Sequence, residues 1–164
     1  ADDGRRIHYA SALTMLGLQD GAGADEGYGY LDVVDFIIRG CTDVENNLRE
    51  LYRRVAFNIC IGNSDDHFRN HGFLLTARGW TLSPAFDMNP TLNAHQGIMI
   101  SRYTNESDLD ALLKASDDYF IRRDEAAAII SSVKSALKDW QKVAKKLGAS
   151  ERDISLFSQR FITD

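Results

Sequence analysis

The sequence predicts a mainly helical α+β domain carrying one small β-hairpin, and three observations support this. Apolar residues recur at three-four spacing through several segments of ten or more residues; two brief apolar runs flank a tight turn at 77–79; and two prolines, Pro84 and Pro90, break up the stretch that follows. With 164 residues, 44% of them hydrophobic, the chain suffices for one domain with a real core and is short for two, so residues 1–164 are read as a single unit.

The opening segment "IHYASALTMLG" puts Ile7, Ala10, Leu13 and Leu16 on one helical face, and "YLDVVDFIIRG" does the same with Leu31, Val34, Ile37 and Ile38. Each stops at a glycine, Gly17 and Gly40, as C-terminal caps often do. Between them "QDGAGADEGYG" neither follows a strand nor contains the lysine of a phosphate-cradling loop, and is read as a flexible surface loop. Thr42, with Glu45 three residues on, predicts a capping box before a five-turn helix through Val44, Leu48, Leu51, Val55 and Ile59, ending near Gly62. "GFLLT", "ARG" and "WTLSP" then read as two strands joined by a turn, and "GIMISR" (97–102) as a further short strand. Ser107 is expected to cap "DLDALLKAS", and Asp124 to open a long helix through Ile130, Val133, Leu137, Trp140, Ala144 and Leu147, closed by Gly148. A last helix starts at Ser150, with Asp153 in a capping pattern, and turns Ile154, Phe157 and Phe161 inward.

Composition excludes several classes of function. Nineteen basic residues against twenty-four acidic ones give a net charge of −5, which supplies no field for gathering nucleic-acid phosphates, so direct nucleic-acid binding is not expected. No stretch approaches the roughly 18 apolar residues that span a bilayer, and no apolar signal core follows the N-terminus, so a cytoplasmic location away from membranes is expected. Cys41 and Cys60 fit no zinc template and are read as reduced thiols.

The chemistry concentrates in "GNSDDHFRNHGF", residues 62–73. Phosphoryl transfer needs a carboxylate that orients the attacking hydroxyl and takes its proton, together with oxygen ligands that hold magnesium on the nucleotide phosphates. Asp65 is followed at the fifth position by Asn70, the predicted hairpin comes next, and Asp87 stands where it ends. A hairpin folds back on itself and would return Asp87 to the side of Asn70. Against this stands a purely local role, since aspartate and asparagine commonly satisfy turn backbones. His67 and His71 lie four apart, a zinc-hydrolase spacing only if the loop is helical; the asparagines and the closing glycine argue against that, and no third ligand is evident. Arg69 reads as half of a surface ion pair, Trp80 and Trp140 as packing residues, and the lysines near 146 as complements to a helix C-terminus.

The segment "SDDHFRN" resembles the DxHxxN catalytic loop of HipA-type serine/threonine kinases, toxins of bacterial toxin-antitoxin systems, which is itself similar to the DRHxxN loop of phosphatidylinositol kinases. "LSPAFDMNPT" resembles the segment that carries that family's metal-binding aspartate, and "GRRIHYASALTMLGL", "YLDVVDFIIRG" and the helical tail around Trp140 are similar in order and spacing. The resemblance implies a kinase-like C-terminal lobe. It makes Asp65 the catalytic base, Asn70 and Asp87 the magnesium ligands, and His67 a catalytic-loop residue near the phosphates, with Asp65, His67, Asn70 and Asp87 together contacting Mg-ATP. Asp66 falls on the variable position of the motif and is the alternative base.

By the same resemblance the substrate is a protein hydroxyl and a HipB-like antitoxin is the expected partner. The glycine-rich loop, lysine and adenine-holding hinge of the N-terminal lobe would precede Ala1, so this stretch alone is expected to bind ATP poorly and turn over little. The alternatives are a non-catalytic interaction module of the same fold and a metal-dependent phosphohydrolase.

Overall fold

A computed structural model describes residues 6–91 and 95–163. Its frame is a helical layer built around one central helix, with a small antiparallel sheet at one side. Helix α2 (Tyr30–Gly40) and helix α3 (Val44–Ile61) form as the apolar periodicity predicts. Helix α3 ends at Gly62, whose φ of 69° is the left-handed conformation that costs glycine least. It buries Leu48, Leu51, Tyr52, Val55, Ala56, Ile59 and Cys60. That stripe packs against α2 and against α5 (Arg123–Leu137), which contributes Ile129, Ile130 and Val133. Both cysteines are free, and burial pushes their thiols up to about 11, so both stay protonated.

The sheet has three strands, not two. Strands β2 (Gly72–Thr76) and β3 (Gly79–Leu82) form the expected hairpin. The opening segment, expected to be helical, instead splits into strand β1 (His8–Ser11) and a single helical turn, α1 (Ala12–Met15). β1 pairs antiparallel with β2, His8 opposite Leu75 and Ser11 opposite Gly72, giving the order β1-β2-β3. Pairing with a strand sixty residues away outweighs the local three-four spacing, and Ser11 caps the short turn by accepting from the Thr14 N–H at 3.3 Å.

Other boundaries also move for tertiary reasons. Thr42 does not cap α3: its N–H and hydroxyl both reach the Trp80 carbonyl, at 2.9 and 3.2 Å, and Asp43 takes the N-cap position with φ 53°. Helix α4 (Leu109–Lys114) is capped by Asp108, because the Ser107 hydroxyl is taken by the Gln96 side chain at 2.8 Å. Residues 97–102 form no strand; Ile98 and Ile100 are buried, and Met99 makes an isolated bridge to Gly29. The long helix expected from Asp124 to Leu147 breaks after Leu137 and restarts as α6 (Trp140–Lys146). The break lets α6 pack on α7 (Glu151–Ser158), with Trp140 stacked on Phe161 at 4.0 Å. Ser150 caps α7 as predicted, accepting from the Asp153 N–H at 3.1 Å.

Leu51 is fully buried in the middle of α3. Leu51→Ala is expected to cost about 2–5 kcal/mol, read as a lowered midpoint in urea unfolding at unchanged slope.

Candidate functional site

Two adjacent aspartates in the loop between α3 and β2 have opposite environments. Asp66 is 2% exposed and sits at the centre of a buried polar cluster. Its Oδ2 accepts from the Tyr30 hydroxyl of α2 at 2.6 Å and from the Asn58 amide of α3 at 2.7 Å, and pairs with His71 Nε2 at 2.8 Å. Its Oδ1 accepts from the His67 N–H at 3.1 Å. Asn63 extends the cluster by donating from its side-chain amide to Asn58 Oδ1 at 3.0 Å, and the Tyr30 ring meets His71 edge-on. Burial by itself pushes the Asp66 carboxyl up, but attraction and hydrogen bonding from His71, with the Tyr30 and His67 donors, outweigh it and hold the group below its usual range. Burial, then the neighbouring Asp66 carboxylate, pushes the Tyr30 phenol well up, so it remains a donor.

Asp65, one residue earlier, is exposed, and among the described residues nothing hydrogen-bonds to its carboxylate. The loop around it is not helical, which removes the geometry of a histidine pair at helical spacing; His71 is engaged by Asp66, and no group of three histidine, cysteine or acidic side chains converges among the described residues. His67 is half-buried, with an unpartnered Nδ1, and its carbonyl accepts from the Asn70 N–H at 2.9 Å. Asn70 is 7% exposed, and its carboxamide has no hydrogen-bond partner among the described residues. Arg69 pairs with Asp20 of the glycine-rich loop, as a surface ion pair should.

Asp87 lies on the segment that runs alongside this loop. At one end Ser83 N–H donates to the Gly72 carbonyl at 2.8 Å, and at the other Thr91 N–H donates to the Gly62 carbonyl at 3.0 Å. Ser64 is also tied to Thr91, backbone N–H to hydroxyl at 3.1 Å. Segment 83–91 is therefore attached to both ends of loop 62–72, in the reverse direction, with Asp87 near its middle. Asp87 is exposed and has φ 56°, a left-handed conformation uncommon outside glycine, although aspartate adopts it more readily than most residues and Asp43 and Phe120 share it at helix ends. Its Oδ1 accepts from the Asn89 amide at 2.8 Å. Phe86 beside it meets the Tyr9 ring of β1 at 6.5 Å.

The residue types suit a hard cation: an exposed carboxylate, engaged at one oxygen by Asn89, and a nearly buried amide with no partner among the described residues are oxygen donors of the kind magnesium takes one or two at a time alongside phosphate oxygens. The sequence profile of the HipA-like C-terminal domain matches residues 2–141. The chain belongs to that family. No curated protein matches it in sequence. Among solved structures, this HipA-like domain superposes on a chain of the Shewanella oneidensis MR-1 toxin-antitoxin complex of HipA, HipB and operator DNA, with a TM-score of 0.74 at 15% identity. The match covers 94% of this chain and 41% of the other, and at that identity the likeness is one of fold. Among the described residues no helix is long and apolar enough to cross a membrane.

Reading the motif alone missed the anchoring role of Asp66 and its partners Tyr30, Asn58 and His71. Asn58 had left a trace, since it continues the apolar stripe of Leu51 and Val55, where an amide needs a buried partner.

Asp66→Ala is expected to lose about 3–5 kcal/mol by stranding its buried donors, whereas Asp65→Ala should stay within about 0.5 kcal/mol of the parent; chemical denaturation of both variants checks this. The lowered folded pKa of Asp66 means that its stabilisation is present above the ordinary carboxylate pKa of about 3.9 and is lost as pH falls through the folded value. Acid unfolding of Asp66→Asn, followed by circular dichroism, should accordingly show a shallower dependence on pH below about 4 than the parent.

Proposed function

We propose that this domain is the C-terminal catalytic lobe of a HipA-like serine/threonine protein kinase that moves the ATP γ-phosphoryl group to a protein hydroxyl. The observation that carries the reading is the division of labour between neighbouring aspartates. Asp66 is buried and fully engaged, so it holds the loop; Asp65 is exposed and uncommitted, so it is free to meet a substrate. Asp65 accepts the proton of the incoming serine or threonine hydroxyl as its oxygen bonds to the γ-phosphorus and the bond to the ADP oxygen breaks. His67 lines the same loop on the phosphate side. Asn70 and Asp87 would hold magnesium, which offsets charge on the phosphates when bound.

Support for convergence of Asn70 and Asp87 comes from the two hydrogen-bonded ends that lay segment 83–91 along the loop. Family membership and the fold likeness to a toxin-antitoxin assembly support the toxin role and a HipB-like antitoxin partner. The chain spans 41% of the length of that solved relative, and the complete protein would supply the rest of the nucleotide site from outside these residues.

In the complete protein, Asp65→Asn is expected to lower transfer of labelled phosphate from ATP to protein by about 10²- to 10⁴-fold while leaving the melting temperature unchanged. Full transfer by that variant would refute the assignment of the base.

A further inference from the structure

We propose that Arg54 is a positioning residue for the metal-binding segment: from α3 its guanidinium grips the Ser83 carbonyl and so sets where Asp87 stands. The inference rests on the reading of Asp87 as a magnesium ligand. Arg54 is 5% exposed, an unusual place for a charge unless something requires it there. Its Nε donates to Glu50, one turn back on the same helix, at 2.9 Å, and its Nη2 donates to the Ser83 carbonyl at 2.6 Å. Glu50 also pairs with Arg53 at 2.9 Å on the surface, so the acid has a partner without Arg54. The part that no other described residue plays is the grip on the Ser83 carbonyl.

Ser83 is where that grip matters most. Its N–H is held by the Gly72 carbonyl and its C=O by Arg54, so the peptide groups on both sides of the residue are oriented just before the chain enters Pro84. Beyond that point Pro84, Ala85, Phe86, Asp87 and Asn89 are exposed, and no backbone-to-backbone hydrogen bond ties residues 84–90 to the rest of the described chain; the Pro84 carbonyl accepts only from the adjacent Ser83 hydroxyl, at 3.0 Å. Packing holds the segment at one side chain, Met88, which is partly buried against the core. Behind it lies an open cavity of about 260 Å³ lined by Arg54, Phe57, Ala85, Met88 and Val133, while in front Phe86 meets Tyr9 between two exposed rings. The segment is held at its ends and by Met88, and among the described residues Arg54 is the only charged side chain that donates a hydrogen bond at either end. A planar guanidinium serves both Glu50 and Ser83 in one fixed fork, which a methionine of similar length cannot do.

The test is a Mn²⁺ titration of the complete protein followed by electron paramagnetic resonance, with and without ATP, on the parent, Asp87→Asn and Arg54→Met, each checked by circular dichroism and thermal melting. Parent binding that is lost in Asp87→Asn and weakened about 10- to 100-fold in folded Arg54→Met is the expected result. Leu51→Ala, destabilised through the core alone, should bind like the parent, which separates positioning from stability. Unchanged affinity in folded Arg54→Met, with binding lost in Asp87→Asn, overturns this inference and leaves the metal assignment standing. No binding by the parent, or full binding by Asp87→Asn, overturns the metal assignment and this inference with it. If Arg54→Met does not fold, Glu50→Gln, which keeps the guanidinium but removes its orienting partner, decides: weaker binding supports the positioning role, and parent-like binding overturns it.

Discussion

The Asp66 carboxylate holds the candidate site together because it gathers donors from three separate parts of the chain. Tyr30 arrives on α2, Asn58 on α3, and His71 from the far end of the loop that contains Asp66 itself. A carboxylate at 2% exposure survives in a low-dielectric interior only when donors surround it, so the cluster either forms whole or costs dearly. Forming it closes loop 62–72 against the two helices. Gly97 packs on the other side of that loop, where its N–H donates to the Ser64 carbonyl at 3.0 Å and an added Cβ would come within 2.8 Å of the Asp66 carbonyl. With the loop clamped between a polar cluster and a close backbone contact, Asp65 projects outward from a rigid base.

Segment 83–91 is held by a different principle. Its ends are fixed at Ser83 and Thr91, while its middle exposes Phe86 and Asp87 and rests on the core through Met88 beside an open cavity. Asp87 sits there in a left-handed conformation that an L-residue adopts at a cost of about 1–3 kcal/mol, a cost that makes sense where a side chain must face a particular direction. A clamped loop opposite an end-anchored segment is a physically reasonable way to grip an ion shared with phosphate groups, since both sides of the ion are then held in position. The proposed kinase chemistry asks the protein chiefly for positioning and charge compensation, and this arrangement is suited to both.

Much of this was legible from residues alone. The periodicity of α2 and α3, the glycine at the end of α3, the hairpin signal around residues 77–79 and the Ser150 cap all rest on interactions within a few residues of one another. The motif spacing of Asp65, His67, Asn70 and Asp87 could likewise be read off, and with it the family, whose profile covers residues 2–141. The errors have a common origin. Strand β1, the Asp43 and Asp108 caps, the bridge at Met99 and the break after Leu137 each depend on partners far along the chain: β2, Trp80, Gln96, Gly29 and α7 respectively.

The sequence by itself determined the motif spacing on which the proposed chemistry rests and the helices that carry the core, because hydrophobic period, capping and motif spacing are local properties. Only the tertiary structure decided which of two adjacent aspartates is buried and which is free, and that an arginine of α3 reaches the strand end before Asp87. Groups brought together from 36 residues apart at Tyr30 and Asp66, and 29 apart at Arg54 and Ser83, make those choices, and no short window along the chain contains both members of either pair.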